Sequence, residues 1–138
     1  MTSRITFLVP IVLFALACSD ENPDSLEGKW ELRHSTGGLL PDRTYEPGSG
    51  HYIRFSADTV FESVSGGQRE VTTYRLEPST SLNSGTPMEK LILEGKEDTE
   101  IRIKVDGDQL TLEYGTSIAA DGTISKYQKV KDAPASGQ

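Results

Sequence analysis

The chain between Leu26 and Val130 alternates apolar and polar residues over short runs, which glycine, asparagine and aspartate separate. Runs of β-branched and aromatic residues with this period are typical of β-strands, and apolar residues at helical spacing are almost absent. The pattern predicts eight strands, at Lys29 to His34, His51 to Ser56, Thr59 to Val64, Arg69 to Leu76, Lys90 to Glu94, Glu100 to Val105, Gln109 to Tyr114 and Thr123 to Val130. The sequence therefore predicts an all-β domain.

The most regular alternation lies in the stretch IRIKVDGDQLTLEY, residues 101–114. Apolar residues occupy every second position on both sides of Asp106-Gly107, and an Asp-Gly pair is typical of a two-residue hairpin turn because its residues tolerate positive φ. Similar tight connections are expected at Ala57-Asp58 and at Gly66-Gly67. Successive hairpins with one apolar face indicate an antiparallel meander.

Eight antiparallel strands in a meander can close into an up-and-down barrel, which leaves no edge strand unpaired. The same period also allows a β-sandwich, and the short consecutive hairpins favour the barrel. Connections in such a barrel alternate between its ends, so the long segments Ser35 to Gly50 and Gly115 to Gly122 are expected together at one end. A long loop over Glu77 to Met88 is expected at the opposite end, beside the short turns.

The first predicted strand begins within LEGKWEL, which contains Gly28 and Trp30 in a Gly-x-Trp arrangement. This motif at the start of an eight-stranded meander resembles the lipocalins, and residues 26–130 resemble the short lipocalin-like domains of bacterial lipoproteins. The resemblance implies that Trp30 closes the barrel floor, often beneath an arginine of the last strand. Here Lys126 and Lys129 occupy that strand. We therefore expect structural roles for Gly28 and Trp30.

Residues 1–17 place Arg4 before a run, Ile5 to Ala17, that is apolar except for Thr6 and Pro10. This layout is typical of a secretory signal peptide. A membrane-spanning helix needs roughly 20 apolar residues, so the run is too short to be one. We expect it to be cleaved.

The only cysteine of the chain, Cys18, follows this run directly. The tetrapeptide Ala15-Leu16-Ala17-Cys18 resembles the lipobox of bacterial lipoproteins, which implies cleavage before Cys18 and acylation of that residue with chains such as palmitate. Two or three acyl chains hold a protein firmly to a bilayer. Because Ser19 follows, the resemblance implies a lipid anchor in the cell envelope, in the outer membrane, at its periplasmic face or at the cell surface. The alternative is an ordinary buried thiol.

The domain organisation follows from these segments. Residues 1–17 are the predicted signal peptide, 18–25 a lipidated tether, 26–130 the barrel and 131–138 a disordered tail. The chain carries 14 Lys and Arg against 21 Asp and Glu, a net charge of −7. Such an acidic chain is unsuited to nucleic acid and to anionic headgroups, so we expect neither as a partner.

The residues that could act in catalysis or bind a metal do not form a known motif in the sequence. If the first two strands pair, His34 and His51 face each other, but a zinc site would also need a carboxylate such as Asp121. Nucleophile-elbow, zinc-protease and phosphate-loop motifs are absent from the sequence. We therefore predict no enzyme activity, no metal site and no cofactor.

Two functions fit an eight-stranded barrel, which is just wide enough to fill with side chains or to hold one small ligand. The first is binding of a small apolar or amphipathic molecule inside the barrel. For it the long first loop can act as a lid or equally as a plug, and we predict that the ligand is contacted by Leu39, Leu40, Tyr45, Phe55 and Tyr114. The second is a filled barrel that acts through its surface as a partner or accessory subunit of an envelope protein complex.

Overall fold

A computed structural model describes residues 24–39, 41–115 and 121–131 of the chain. The described residues form nine strands, β1 (Gly28–Gly37), β2 (Arg43–Thr44), β3 (Tyr52–Phe55), β4 (Val60–Ser65), β5 (Gln68–Thr80), β6 (Pro87–Leu93), β7 (Ile101–Asp106), β8 (Gln109–Tyr114) and β9 (Thr123–Val130). Within these ranges there is no helix long and apolar enough to cross a membrane.

Strand β1 and strands β3 to β9 pair antiparallel in chain order, and β1 also pairs with β9, so the sheet closes on itself. This confirms the prediction of an all-β fold with an eight-stranded antiparallel up-and-down barrel. Closure excludes the β-sandwich, whose two sheets would be separate. The short strand β2 is additional and lies beside the second half of β1, where Thr44 pairs with His34.

The strand predictions are confirmed most closely for β8 and β9, whose bounds agree with the sequence pattern. The prediction of a long loop from Glu77 to Met88 was wrong. Strand β5 continues to Thr80 and β6 begins at Pro87, so residues 81–86 form the connection. The ladder between β5 and β6 continues through a stretch rich in proline, serine and threonine, where no apolar alternation signals a strand.

Two of the hairpins show how glycine sets the turn. Gly66 and Gly67 lie between the paired residues Ser65 and Gln68 and both have positive φ, of 58° and 81°. At the β7–β8 hairpin the predicted turn was displaced by one residue. Asp106 belongs to the ladder as the partner of Gln109, so the turn is residues 107–108, with Gly107 at a φ of 59°.

The connections divide the barrel into two unlike ends. Strands β1, β4, β6 and β8 finish at the open end, which carries the connections over residues 66–67 and 94–100, and the closed end carries those over 56–59, 81–86 and 107–108. Strands β1 and β8, which precede the two long connections, finish at the same end, as the sequence predicts. The described chain also begins and finishes at the closed end, because Gly28 starts β1 there and Val130 finishes β9 beside Lys29.

The core is densest near the closed end, around the single tryptophan. Trp30 is fully buried, which confirms its expected burial, and its Nε1 donates a hydrogen bond to the Leu26 carbonyl at 2.8 Å. Lys129 lies over the indole, with Nζ 5.1 Å from the ring centroid, and donates to the Ser25 carbonyl at 3.0 Å. Lys129 of the last strand therefore covers Trp30 at the closed end.

Glycine is needed at two positions of β1. Gly28 has a φ of 123°, and a Cβ there would lie 3.1 Å from Cε of Lys129, whose side chain covers Trp30. Gly37 has a φ of 101°, and a Cβ there would lie 2.3 Å from the carbonyl oxygen of Gly122. That distance is far shorter than a van der Waals contact. A larger residue at this position would therefore force β1 and the start of β9 apart.

Glu113 attaches the tip of the β5–β6 hairpin to β8. Its carboxylate accepts hydrogen bonds from Ser81 Oγ at 2.6 Å and from the Leu82 backbone N–H at 2.8 Å. Successive side chains of a strand alternate between its faces, and the neighbouring Leu112 points into the barrel, so Glu113 points away from it. Glu113 is nonetheless only 5% exposed, because the hairpin tip covers it.

Candidate ligand-binding cavity

A cavity of about 570 Å³ lies inside the barrel and opens at the open end. Its inner part is apolar because inward-pointing positions of five different strands contribute branched and aromatic side chains. These apolar walls are formed by Leu32, Ile53, Phe61, Leu91, Leu93 and Ile101. The interior of the barrel is therefore packed near Trp30 and hollow above it.

The rim of the cavity is polar. Its polar residues come from β4, β5 and the connections at the open end, and they are His51, Ser63, Ser65, Glu70, Lys96 and Thr99. On β4 the inward positions change from Phe61 to Ser63 and Ser65 as the strand approaches the opening. One continuous wall thus passes from apolar to hydroxyl-bearing side chains.

His51 is held in the rim by contacts on two sides. Its Nδ1 lies 2.9 Å from Oγ of Ser65, and the Tyr45 ring packs against the imidazole edge to face, with centroids 5.2 Å apart. Tyr45 is itself placed by a backbone hydrogen bond to the Arg33 carbonyl at 2.9 Å. The first long connection thus contributes to the rim through a fixed aromatic pair.

An ion pair crosses the rim between Glu70 and Lys96. The Lys96 Nζ lies 2.6 Å from one carboxylate oxygen of Glu70 and 2.8 Å from the other. In the described ladder β5 pairs with β6 only from Tyr74 onwards, so the first part of β5 faces the connection over residues 94–100 instead of a strand. The ion pair bridges the barrel wall where the ladder is missing.

Two tyrosines, Tyr114 of β8 and Tyr127 of β9, line the cavity. Burial raises the pKa of Tyr114 and raises that of Tyr127 well above its usual value of 10.0. Both phenols are therefore uncharged at neutral pH. They present ring surface together with hydroxyl groups to the cavity.

The five side chains predicted to contact a ligand occupy different places. Tyr114 lines the cavity, and Tyr45 lies behind His51 at its rim. Phe55 is 1% exposed and packs against Phe61 and Tyr74 in the closed half. Leu39 is 93% exposed, whereas Leu40 lies outside the described residues.

Sequence reasoning missed most of the polar rim. Glu70, Lys96 and Thr99 lie in or beside turns, where strand alternation does not indicate which side chains point inward. Ser63 and Ser65 could have been found, because they continue the inward positions of Phe61 along one strand. A change from apolar to serine residues on one strand face was the available signal.

His34 and His51, which the sequence predicts to face each other, are not paired with each other. Leu32 N–H donates to the His51 carbonyl at 2.9 Å, whereas His34 pairs with Thr44 on one side and Lys126 on the other. Nowhere in the described ranges do three or more His, Cys, Asp or Glu gather as metal ligands. The predicted lipidation site, Cys18, lies outside those ranges.

The cavity combines an apolar interior with hydrogen-bonding groups at its opening. This arrangement can exclude water from an apolar molecule and still hydrogen bond to a polar group at the end of that molecule. Comparisons with protein-family models, with curated proteins and with solved structures found no match for this chain.

Proposed function

We propose that this protein binds a small apolar or amphipathic molecule in its barrel. The observation that carries the proposal is the cavity of about 570 Å³ with its apolar walls. Ligand sites in proteins are typically concave, mostly apolar and about 300–1,000 Å³ in volume. Burial of the ligand's apolar surface supplies the binding free energy, at about 25 cal/mol per Å² removed from water.

The other function expected from the sequence is that of a filled barrel acting through its surface in an envelope protein complex. A barrel for that role has no need of an internal cavity, and side chains would occupy its interior. The volume between Phe61 and the rim at Ser65 therefore favours a ligand over a filled interior.

We further propose that the mature protein is anchored in the cell envelope, in the outer membrane, by lipid on Cys18. Support for this comes from the lipobox-like residues before Cys18. The described chain starts at the closed end, where Asp24 accepts a hydrogen bond from Gly107 N–H at 3.4 Å. The cavity opens at the opposite end of the barrel.

The binding proposal can be tested with the mature chain, residues 18–138, carrying Cys18→Ser. The protein is titrated with N-phenyl-1-naphthylamine, an uncharged dye that fluoresces more strongly in apolar surroundings. We expect saturable binding of one dye per protein. Mass spectrometry of an organic extract of the same protein then identifies any natural molecule that copurifies in equal amount.

The variant Ser63→Trp puts an indole into the cavity and should abolish dye binding. Val71→Trp is its matched control, since Val71 belongs to the same hairpin but points outward and is 50% exposed. This control should bind as the parent does. If the dye binds Ser63→Trp as well as the parent, or if no dye and no extracted molecule bind, the cavity is not a ligand site.

A further inference from the structure

The charges that face the cavity are balanced within one ion pair. Among the described side chains that line the cavity, Glu70 and Lys96 carry the formal charges, and both Glu70 oxygens lie within 2.8 Å of Lys96 Nζ. A positive and a negative group this close create the field of a dipole, which decays much faster with distance than that of one charge. The rim therefore offers no net charge to a ligand.

A ligand head group with a single charge gains little at such a rim. A carboxylate attracted by Lys96 is also repelled by Glu70, and a cation attracted by Glu70 is repelled by Lys96. Each would also lose hydration on entering the cavity, and a buried charge without its own partner is costly. The overall charge of the chain, −7, opposes an anion further.

A head group without net charge avoids this cost. Hydroxyl and N–H amide groups can donate to the Glu70 carboxylate and accept from the Lys96 ammonium, and an ester can accept from Lys96, without separating the pair. The hydroxyls of Ser63, Ser65 and Thr99 lie on the same rim and offer further neutral partners. A zwitterionic head group can instead place its positive part toward Glu70 and its negative part toward Lys96.

We propose that the cavity selects amphiphiles whose polar head carries no net charge, and that Glu70 and Lys96 determine this selectivity. The proposal rests on the proposed function, since it concerns the ligand of the same cavity. It identifies the ligand class as single-chain molecules with a polyol, ester, amide or zwitterionic head. Free fatty acids and alkylammonium ions are disfavoured.

The test uses the mature chain with Cys18→Ser at pH 8 and four competitors that share a twelve-carbon chain. They are the glycerol monoester of dodecanoic acid, dodecylphosphocholine, dodecanoate and dodecyltrimethylammonium, each below its critical micelle concentration. Displacement of the naphthylamine dye measures their affinities. We expect the two neutral or zwitterionic amphiphiles to bind about tenfold more tightly than either charged one, a difference of about 1.4 kcal/mol.

Two variants then test the ion pair itself. Lys96→Met leaves the Glu70 charge alone, so the cation should bind more tightly than in the parent, whereas Glu70→Gln should improve binding of the anion. The matched controls, Lys104→Met and Glu89→Gln, remove exposed charges on strands β7 and β6 and should leave the order of the four amphiphiles unchanged.

Each outcome has a distinct meaning. Equal affinities for all four amphiphiles, or an order that the two rim variants leave unchanged, would overturn the selectivity proposal while leaving ligand binding intact. Failure of all four to displace a dye that binds would overturn the selectivity proposal, because none of the proposed ligand class then enters the dye's site. Failure of the dye to bind, together with an organic extract that contains no bound molecule, removes the proposed function and this proposal together.

Discussion

Lys129 places its ammonium group 5.1 Å from the centroid of the Trp30 ring at the closed end of the barrel. The two residues lie on neighbouring strands, β9 and β1, which are the pair that closes the sheet. The same ammonium also donates to the Ser25 carbonyl, so it links the last strand to the segment that precedes the first. One side chain thus covers the core and joins the two strands whose pairing completes the barrel.

Trp30→Ala should lower the free energy of unfolding by about 3–5 kcal/mol, because the fully buried indole would leave a large cavity in the closed half. Urea denaturation followed by circular dichroism measures the change. Since Trp30 is the only tryptophan, its fluorescence also reports its burial directly. Emission of the folded protein at the wavelength of free tryptophan would contradict the burial.

Lys129→Met should lower the free energy of unfolding by about 1 kcal/mol, because the variant loses the cation over the ring and the hydrogen bond to Ser25. Lys129→Arg should retain most of this stability, since a guanidinium can make both contacts. Lys126→Met, at an exposed position of the same strand, is the control and should change little. An equal loss in both methionine variants would argue against a specific contact with Trp30.

Glu113→Ala should destabilise the protein by about 2 kcal/mol or more, because it leaves the Ser81 hydroxyl and the Leu82 N–H without their acceptor in a buried place. The connection over residues 81–86 should also be cut faster by a protease. Glu89→Ala removes an exposed carboxylate of β6 and serves as the control. Unchanged proteolysis in Glu113→Ala would mean that the carboxylate does not hold the hairpin tip.

Glu31 should make stability depend on pH in the acid range. Burial opposes its ionisation, but hydrogen bonds from Arg33 and from Gly48 N–H outweigh burial and lower the pKa of Glu31 below 4.5. A lowered folded-state pKa stabilises the protein above about pH 4.5, and this stability is lost as the pH falls through the lower, folded-state pKa. The urea midpoint of Glu31→Gln should fall less steeply between pH 7 and pH 3 than that of the parent protein. The same pH dependence in both proteins would exclude this role for Glu31.

Lipidation at Cys18 predicts that cells grown with radioactive palmitate label the native protein. The Cys18→Ser variant should carry no label and should be recovered from the soluble fraction once its signal peptide is removed. An unrelated lipoprotein labelled in the same cells controls for uptake of the fatty acid. Label that persists in Cys18→Ser would rule out attachment through this cysteine.

Local sequence pattern was sufficient for most of the barrel. Strands β8 and β9 and the hairpin at Gly66-Gly67 were predicted where they occur, because side chains alternate with a period of two and because glycine tolerates positive φ. The burial of Trp30 was also predicted. By contrast, strand β2 and the last residues of β5 were missed, since backbone pairing with a neighbouring strand holds them and their own sequences show no alternation.

The sequence alone determined the fold class, the number of barrel strands and the side chains that point inward along the regular strands. Whether the inward side chains fill the barrel was decided by the tertiary structure, because empty volume depends on how side chains from opposite strands meet. The meeting of Glu70 with Lys96 was decided in the same way. Glu70 lies near the start of β5 and Lys96 in the connection after β6, and their charges come together only because these two strands pair as a long hairpin.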